Sequence, residues 1–290
     1  MKRILWHGLA FCLIMLVFIS PIHSFTEEIK ETIVKLSDQI YRVTLAFGLK
    51  PNIGVSFGHD GLLLVDTGHR TTGTRLLEVL DKMDGKIMYI INTHSHGDHA
   101  GGNEICGKNA VLIHHTDLKK LKEAGIITKR EERISGGNGL GFQSYYSLIF
   151  NDEEIRIIPS PGIHSDSDLI IHFTDSGVVH MGDLLLTESF PAVGNKVKEY
   201  LGFLDTMLDV FPEGITFIGG HGRDYSCQDL KDYRKMLYKT IDIVREGMKS
   251  GKNIEILRSE NVLKNYENWG VFLDFLNTDK WIEFVYNSFR

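Results

Sequence analysis

The stretch INTHSHGDHAGGNE, from Ile91 to Glu104, crowds three histidines and an aspartate into six residues and closes with a pair of glycines. The run KIMYIINTH leads into it and is apolar enough to be a buried strand, so the cluster belongs to a loop at a sheet edge, where side chains need not alternate between faces. Imidazoles beside a carboxylate are costly to bury unless a cation gathers them. Neutral imidazole and carboxylate are the ligand set of zinc and other borderline first-row metals, which makes His94, His96, Asp98 and His99 metal candidates. Gly97 leaves the turn free to aim its neighbours apart, and Gly101 and Gly102 let the backbone pass close behind.

A polar loop with coincidental histidines is the ordinary alternative, and the rest of the chain weighs against it. Three further loop ends, each after a β-type run and beside glycine, offer His164 in IPSPGIHSDSD, Asp183 in VVHMGDLLL and His221 in FIGGHGRDY. Together they supply enough ligands for two metals. The other histidines read differently: His172 and His180 lie in strands, His114 and His115 end one, and core or surface roles suit them. His59 and His69 sit beside turns and are expected to be exposed.

Between Ile29 and Asp66, short β-type runs separated by Gly, Pro, Asn and Asp read as consecutive antiparallel strands. Residues 71–84 place Leu76, Leu77, Val79, Leu80 and Met83 on one helical face, with Gly85 as a stop. Strand, turn and helix then alternate, which predicts α/β layers rather than an all-β sandwich. The segment SGGNGLGF, 135–142, reads as a surface loop, because no strand leads into it and no Lys-Ser/Thr follows. Beyond His221 come amphipathic helices, giving a division into residues 1–24, 25–227 and a helical extension, 228–290, packed on the main domain.

Residues 1–24 have the layout of a secretory signal peptide, a basic start, an apolar run from Leu9 to Ile19 and the small residue Ser24, which predicts a periplasmic or secreted protein. Membrane contact would come only through this leader if it stays attached. The net charge is −6, more negative still without Lys2 and Arg3, and no basic block interleaves with aromatics, so nucleic acid is excluded as a partner and a small-molecule substrate expected. Cys106 and Cys227 form no disulfide framework by spacing; a single bridge and two buried thiols both remain open.

The chain resembles the metallo-β-lactamase-fold hydrolases over about residues 38–225, on the motifs VDTG (65–68), THSHGDHAGGN (93–103), PGIHSDSD (161–168), GD (182–183) and GGHG (219–222). The resemblance implies a four-layer αβ/βα sandwich with metals at one edge between the sheets. Carried over by position, His94, His96 and His164 would hold a first metal, Asp98, His99 and His221 a second, and Asp183 would bridge them. Two such cations share a hydroxide, because metal binding lowers the pKa of water to about 7, and the hydroxide attacks a carbonyl or phosphoryl centre. Asp98 would orient this nucleophile as well as ligate. Asp66 reads equally as an acceptor behind a ligand imidazole and as a turn cap.

Substrate is less constrained, since the scaffold hosts many chemistries. Where the best-known di-zinc lactamases carry cysteine this chain has Asp183, which resembles the glyoxalase II and lactonase pattern. Asn195 matches in offset the asparagine that polarises the β-lactam carbonyl, but the lysine that anchors the β-lactam carboxylate is replaced by Leu186. Lys196 and Lys198 read as solvated. Phe47, Leu49, Phe190 and Pro191, on segments 47–52 and 187–200, would form apolar pocket walls unless they cover the core. The expectation is an exported di-metal hydrolase, with zinc first and iron or manganese as substitutes, acting on a small ester, lactone, thioester or amide. Export would separate it from cytosolic glutathione thioesters. The alternatives are β-lactam turnover, an iron-dependent persulfide-type dioxygenase and a metal-binding module without turnover.

Overall fold

The structure, a computed structural model, describes residues 29–131, 144–270 and 274–290; the leader-like residues 1–24 and the glycine-rich segment 135–142 lie outside them. The first sheet runs β1 (Glu31–Lys35), β2 (Ile40–Leu45), β3 (Asn52–Gly58), β4 (Gly61–Val65), β5 (Ile87–Ile91) and β6 (Val111–Ile113) in spatial order. Its first four strands pair antiparallel through short turns, and β4–β5–β6 pair parallel. Parallel neighbours need crossovers, supplied by α1 (Gly73–Leu80) and then by α2 (Gly97–Ala100) and α3 (Asn103–Cys106). A further short helix, α4 (Leu118–Glu123), follows β6. The helix expected over 71–84 is thus shorter, and the left-handed residue that ends its last turn is Asp84, with φ 51°, rather than Gly85.

The second sheet, in spatial order, is β13 (Tyr225–Ser226), β12 (Thr216–Ile218), β11 (Val178–His180), β10 (Leu169–Phe173), β9 (Glu153–Pro159), β8 (Tyr145–Phe150) and β7 (Thr128–Arg130). Its one parallel pair among the described residues, β11–β12, is joined across α5 (Val197–Val210).

Strand alternation sorts most of the described apolar side chains into three large cores. Leu63, Val65 and Ile91 of the first sheet meet Ile157, Ile171, Val178 and Ile218 of the second in the central core. Their neighbours Leu62, Leu64 and Ile90 point the other way, onto Leu76, Val79 and Leu80 of α1. On the far side Ile170 and Val179 face α5 and the C-terminal helices α6 (Cys227–Lys249), α7 (Ile254–Ser259) and α8 (Thr278–Phe289). The result is helix, sheet, sheet, helix, the expected four-layer sandwich.

The C-terminal helices complete the outer layer over the second sheet. A capping box starts α6, with Ser226 Oγ accepting from the Asp229 N–H and the Asp229 carboxylate accepting from the Ser226 N–H. Trp281 of α8 is 1% exposed, and its indole N–H donates to Thr240 Oγ1 at 2.8 Å, so its polar atom is satisfied inside the core. Cys106 and Cys227 are free and buried in opposite outer cores, which rules out a bridge between them. No helix among the described residues is long and apolar enough to cross a membrane.

Candidate metal centre

The parallel pairs β4–β5 and β11–β12 release their C-terminal ends toward one edge of the sandwich, where ligands gather in sheets of this kind. The residues that follow these strands are Asp66 after β4, His94 to His99 after β5, Asp183 after β11 and His221 after β12; His164 comes from the turn between β9 and β10. Two ligand groups result, His94, His96, His164 and Asp183 in one and Asp98, His99 and His221 in the other, with the ligand atoms of each group within 4.8 Å of one another.

In the first group, His96 Nδ1 lies 3.0 Å from His94 Nε2 and 3.2 Å from His164 Nε2. In the second, His99 Nε2 is 3.3 Å from His221 Nε2, and Asp98 Oδ2 is 3.3 Å from His221 Nε2. Around a tetrahedral zinc with bonds of about 2.0–2.1 Å, neighbouring ligand atoms stand about 3.3–3.4 Å apart. Asp183 divides its oxygens: Oδ2 is 3.4 Å from His164 Nε2 and 3.8 Å from His94 Nε2, while Oδ1 is 3.2 Å from His99 Nε2 and 3.4 Å from His221 Nε2. This is the disposition of a bridging carboxylate.

The outer ring nitrogens explain why the inner ones face together. His99 Nδ1 meets Asp66 Oδ2 at 2.8 Å, His221 Nδ1 meets Leu49 O at 2.7 Å, and His164 Nδ1 meets Ala192 O at 3.1 Å. His94 Nδ1 meets Thr93 Oγ1, which donates onward to Asp66 Oδ2. Each of these acceptors takes an outer N–H and leaves the Nε2 lone pair pointing inward. Four converging lone pairs and a buried Asp183 Oδ1 without an aligned donor among the described residues make sense around cations. The donor set fits two divalent metals.

Electrostatics agree. Burial pushes the His94 imidazole down to about 3, so it is neutral and ready to ligate. Burial opposes ionisation of Asp98, but the His221 hydrogen bond and the nearby His99 outweigh it and lower its carboxyl to about 2. Asp183 is likewise buried, yet His99, His221 and His164 hold it well below the usual carboxylate range. Burial alone would lower His99; the flanking Asp183 and Asp66 carboxylates instead raise it well above the ordinary imidazole value. A proton on His99 and a cation at its Nε2 answer the same carboxylates, so cation uptake there releases a proton.

Asp66 serves both readings left open by the sequence, because it accepts from the Thr93 N–H at 2.8 Å as well as from His99. It adopts φ 67°, a left-handed conformation that aspartate tolerates better than most residues. A Cβ on Gly101 would fall 2.2 Å from Gly97 O and one on Gly102 2.4 Å from Thr67 O, as a close backbone approach requires. Gly97 itself meets nothing within 4 Å and simply opens α2. Gly220 is needed more strictly, since a Cβ there would stand 2.0 Å from Asp183 Oδ1.

Other expectations divide. Asn195 is exposed in the turn before α5, with no bond to a ligand residue among the described interactions. Phe190 and Pro191 are buried, Phe190 stacked on Trp281 at 5.4 Å, so these two cover the core rather than wall a pocket. Phe47 and Leu49 are 40% and 38% exposed beside His221. Leu186 is a core residue bridged to His221, and Lys198 lies over the Phe289 ring. His69 is half-buried, its ring edge-on to Phe47, contrary to the exposure expected of it. Missed altogether were Asp168, which accepts the backbone N–H groups of His164 and Ser165, and Asn52, whereas His180 is the buried strand histidine expected of it. The SDSD run is the local signal that Asp168 offered.

The sequence profile of the metallo-beta-lactamase superfamily matches residues 48–235, well over half of the chain, and spans all seven candidate ligand positions. The chain belongs to the metallo-beta-lactamase superfamily. This superfamily member is 25% identical over 268 residues to the beta-lactamase-like protein 2 homolog of Caenorhabditis elegans, covering 86% of this chain and 84% of that one. It is 28% identical over 138 residues to the hydroxyacylglutathione hydrolase of Gloeobacter violaceus, which covers 44% of this chain and 48% of that enzyme. Among solved structures, the stereoselective inverting sec-alkylsulfatase Pisa1 from Pseudomonas sp. superposes with a TM-score of 0.60 at 15% identity, over 90% of this chain and 51% of that one. The chain thus spans about half the length of the last two, and the sulfatase likeness is one of fold. Hydrolysis is the general chemistry of the superfamily.

Proposed function

We propose that the chain is an exported two-metal hydrolase of small esters, lactones, thioesters or amides. The observation that carries the reading is the division of Asp183, one oxygen toward each group of imidazoles. When bound, two divalent cations, zinc first, would polarise the carbonyl oxygen and bring the pKa of a water to about 7. The remaining work falls to the chain's own side chains. His94, His96 and His164 hold one position, and Asp98, His99 and His221 the other, with Asp183 between. Asp98, ionised and only half-buried, orients the attacking water and accepts its hydrogen bond.

Asp66 keeps the His99 N–H engaged behind the site, so Nε2 stays aimed inward. Phe47 and Leu49 offer exposed apolar surface on a loop tied to His221, which suits an acyl or aromatic substrate portion. The buried Leu186 leaves no cation at the β-lactam anchor position, so β-lactams are expected to be the poorest substrates of this set. Export is supported by the leader pattern of residues 1–24.

The test is elemental analysis of the protein purified without added metal, beside a hydrolysis panel of an ester, a lactone, a thioester, an amide and a β-lactam. About two zincs per chain with turnover supports the reading. Iron with oxygen consumption would replace it by the dioxygenase, and metal without turnover by the binding module.

A further inference from the structure

Asn52, fully buried at the start of β3, is not a ligand candidate, yet every polar atom it has is engaged around the second metal position. Its side-chain Nδ2 donates to Gly219 O and to Gly222 O, both at 2.9 Å, and so straddles Gly220 and His221. Its Oδ1 accepts from Thr44 Oγ1 at 2.7 Å and Arg42 Nη1 at 3.2 Å, and Arg42 Nε reaches Asp224 Oδ1, just past the same loop, at 2.8 Å.

The backbone of Asn52 closes a ring. Its N–H donates to Gly220 O at 2.8 Å, and the Gly220 N–H donates to Gly182 O at 2.7 Å. The Gly182 N–H then donates to His180 Nδ1 at 3.2 Å, and His180 Nε2 donates to Asn52 O at 3.3 Å. Gly182 precedes Asp183 and Gly220 precedes His221. The ring therefore ties together the backbone immediately before two ligands that come from different strands, and ties both to the opposite sheet. Buried polar groups paired this completely specify one geometry, because any shift leaves a donor or acceptor unsatisfied.

We infer that Asn52 and His180 are positioning residues that set the separation of His221 and Asp183, and thereby the affinity of the second metal position. The inference rests on the two-metal reading above. Metal sites loosen when supporting groups allow ligand shifts of about 0.5 Å, and loss of an outer partner typically weakens binding about 10- to 100-fold.

The experiment strips the full-length protein with chelator and titrates it with Co2+ and Zn2+, following the cobalt d–d absorption, cation stoichiometry and histidine ring 15N shifts, which assign each cation to its group. Asn52→Asp keeps the side-chain shape but turns the Nδ2 donor into an acceptor facing two carbonyls. His180→Phe opens the ring, and His180→Gln retains one donor and one acceptor. Expected are two cations in the parent, a first-group affinity within about threefold in all variants, and a second-group affinity weakened about 10- to 100-fold in Asn52→Asp and His180→Phe. His180→Gln should recover part of that loss, and excess metal should restore the second cobalt band. A parent holding fewer than two cations overturns the two-metal reading together with this inference. Two cations in the parent with unchanged second-group affinity in folded variants overturns the inference alone, as does equal weakening of both groups. If Asn52→Asp does not fold, the contrast between His180→Phe and His180→Gln decides.

Discussion

The two halves of the centre use similar ligands in different surroundings. In the first group His96 is exposed and His164 half-buried, and the outer nitrogen of His164 rests on a carbonyl of an irregular loop. In the second, His99 and His221 are 0% and 1% exposed, with a fully buried carboxylate behind one and a closed hydrogen-bond ring beside the other. The first half joins a buried His94, backed through Thr93 by Asp66, to two more open imidazoles, whereas both imidazoles of the second half are buried.

The strongest way to break this comparison is to remove what the halves share. Asp183→Ala should lower bound metal toward one equivalent and reduce kcat by about 10²–10³-fold, equivalent to about 3–4 kcal/mol of transition-state stabilisation, while far-UV circular dichroism stays native. His221→Ala should lose the second cation with a comparable fall in kcat. Full activity in both variants would sink the two-metal mechanism.

Next in size is the support behind the buried half. Asp66→Asn removes the charged acceptor of His99 and should weaken the second cation about 10- to 100-fold in a zinc titration, more than the first, whose His94 Asp66 reaches only through Thr93. Protons should separate the halves further. Because the carboxylates around His99 raise its pKa, zinc must displace a proton there, and second-site affinity should rise with pH, by up to about tenfold per unit from pH 6 to 7. His94, pushed down to about 3, holds no such proton in that range. The smallest effect is on stability: His96→Ala should remove the first cation yet shift the unfolding free energy of the metal-free protein by less than about 0.5 kcal/mol, since the side chain is exposed.

What could be read from the sequence follows the same division. All seven candidate ligands were legible because uncommon side chains recur at strand ends beside glycine, and the α/β layers because strand-like runs alternate with helical ones, the four-layer order following from the family resemblance. The tie between Asn52 and His180 was not, since both sit in ordinary strand positions and half of their ring consists of backbone groups of other residues. Phe190 looked like a pocket wall because its partner, Trp281, lies far along the chain and carries no local signal. Asp66 looked ambiguous because a single carboxylate does two tasks, capping the Thr93 N–H and orienting His99. Ligand chemistry is written in residue type, whereas support is written in tertiary contact.

The measurement that bears most directly on the central claim is the zinc-binding isotherm of the chelator-stripped parent beside Asp183→Asn at pH 7. The account predicts two equivalents in the parent, a steep loss of the second in Asp183→Asn, and proton release with uptake at the buried group. A parent that saturates at one equivalent, or an Asp183→Asn variant that binds two as tightly as the parent, would contradict it.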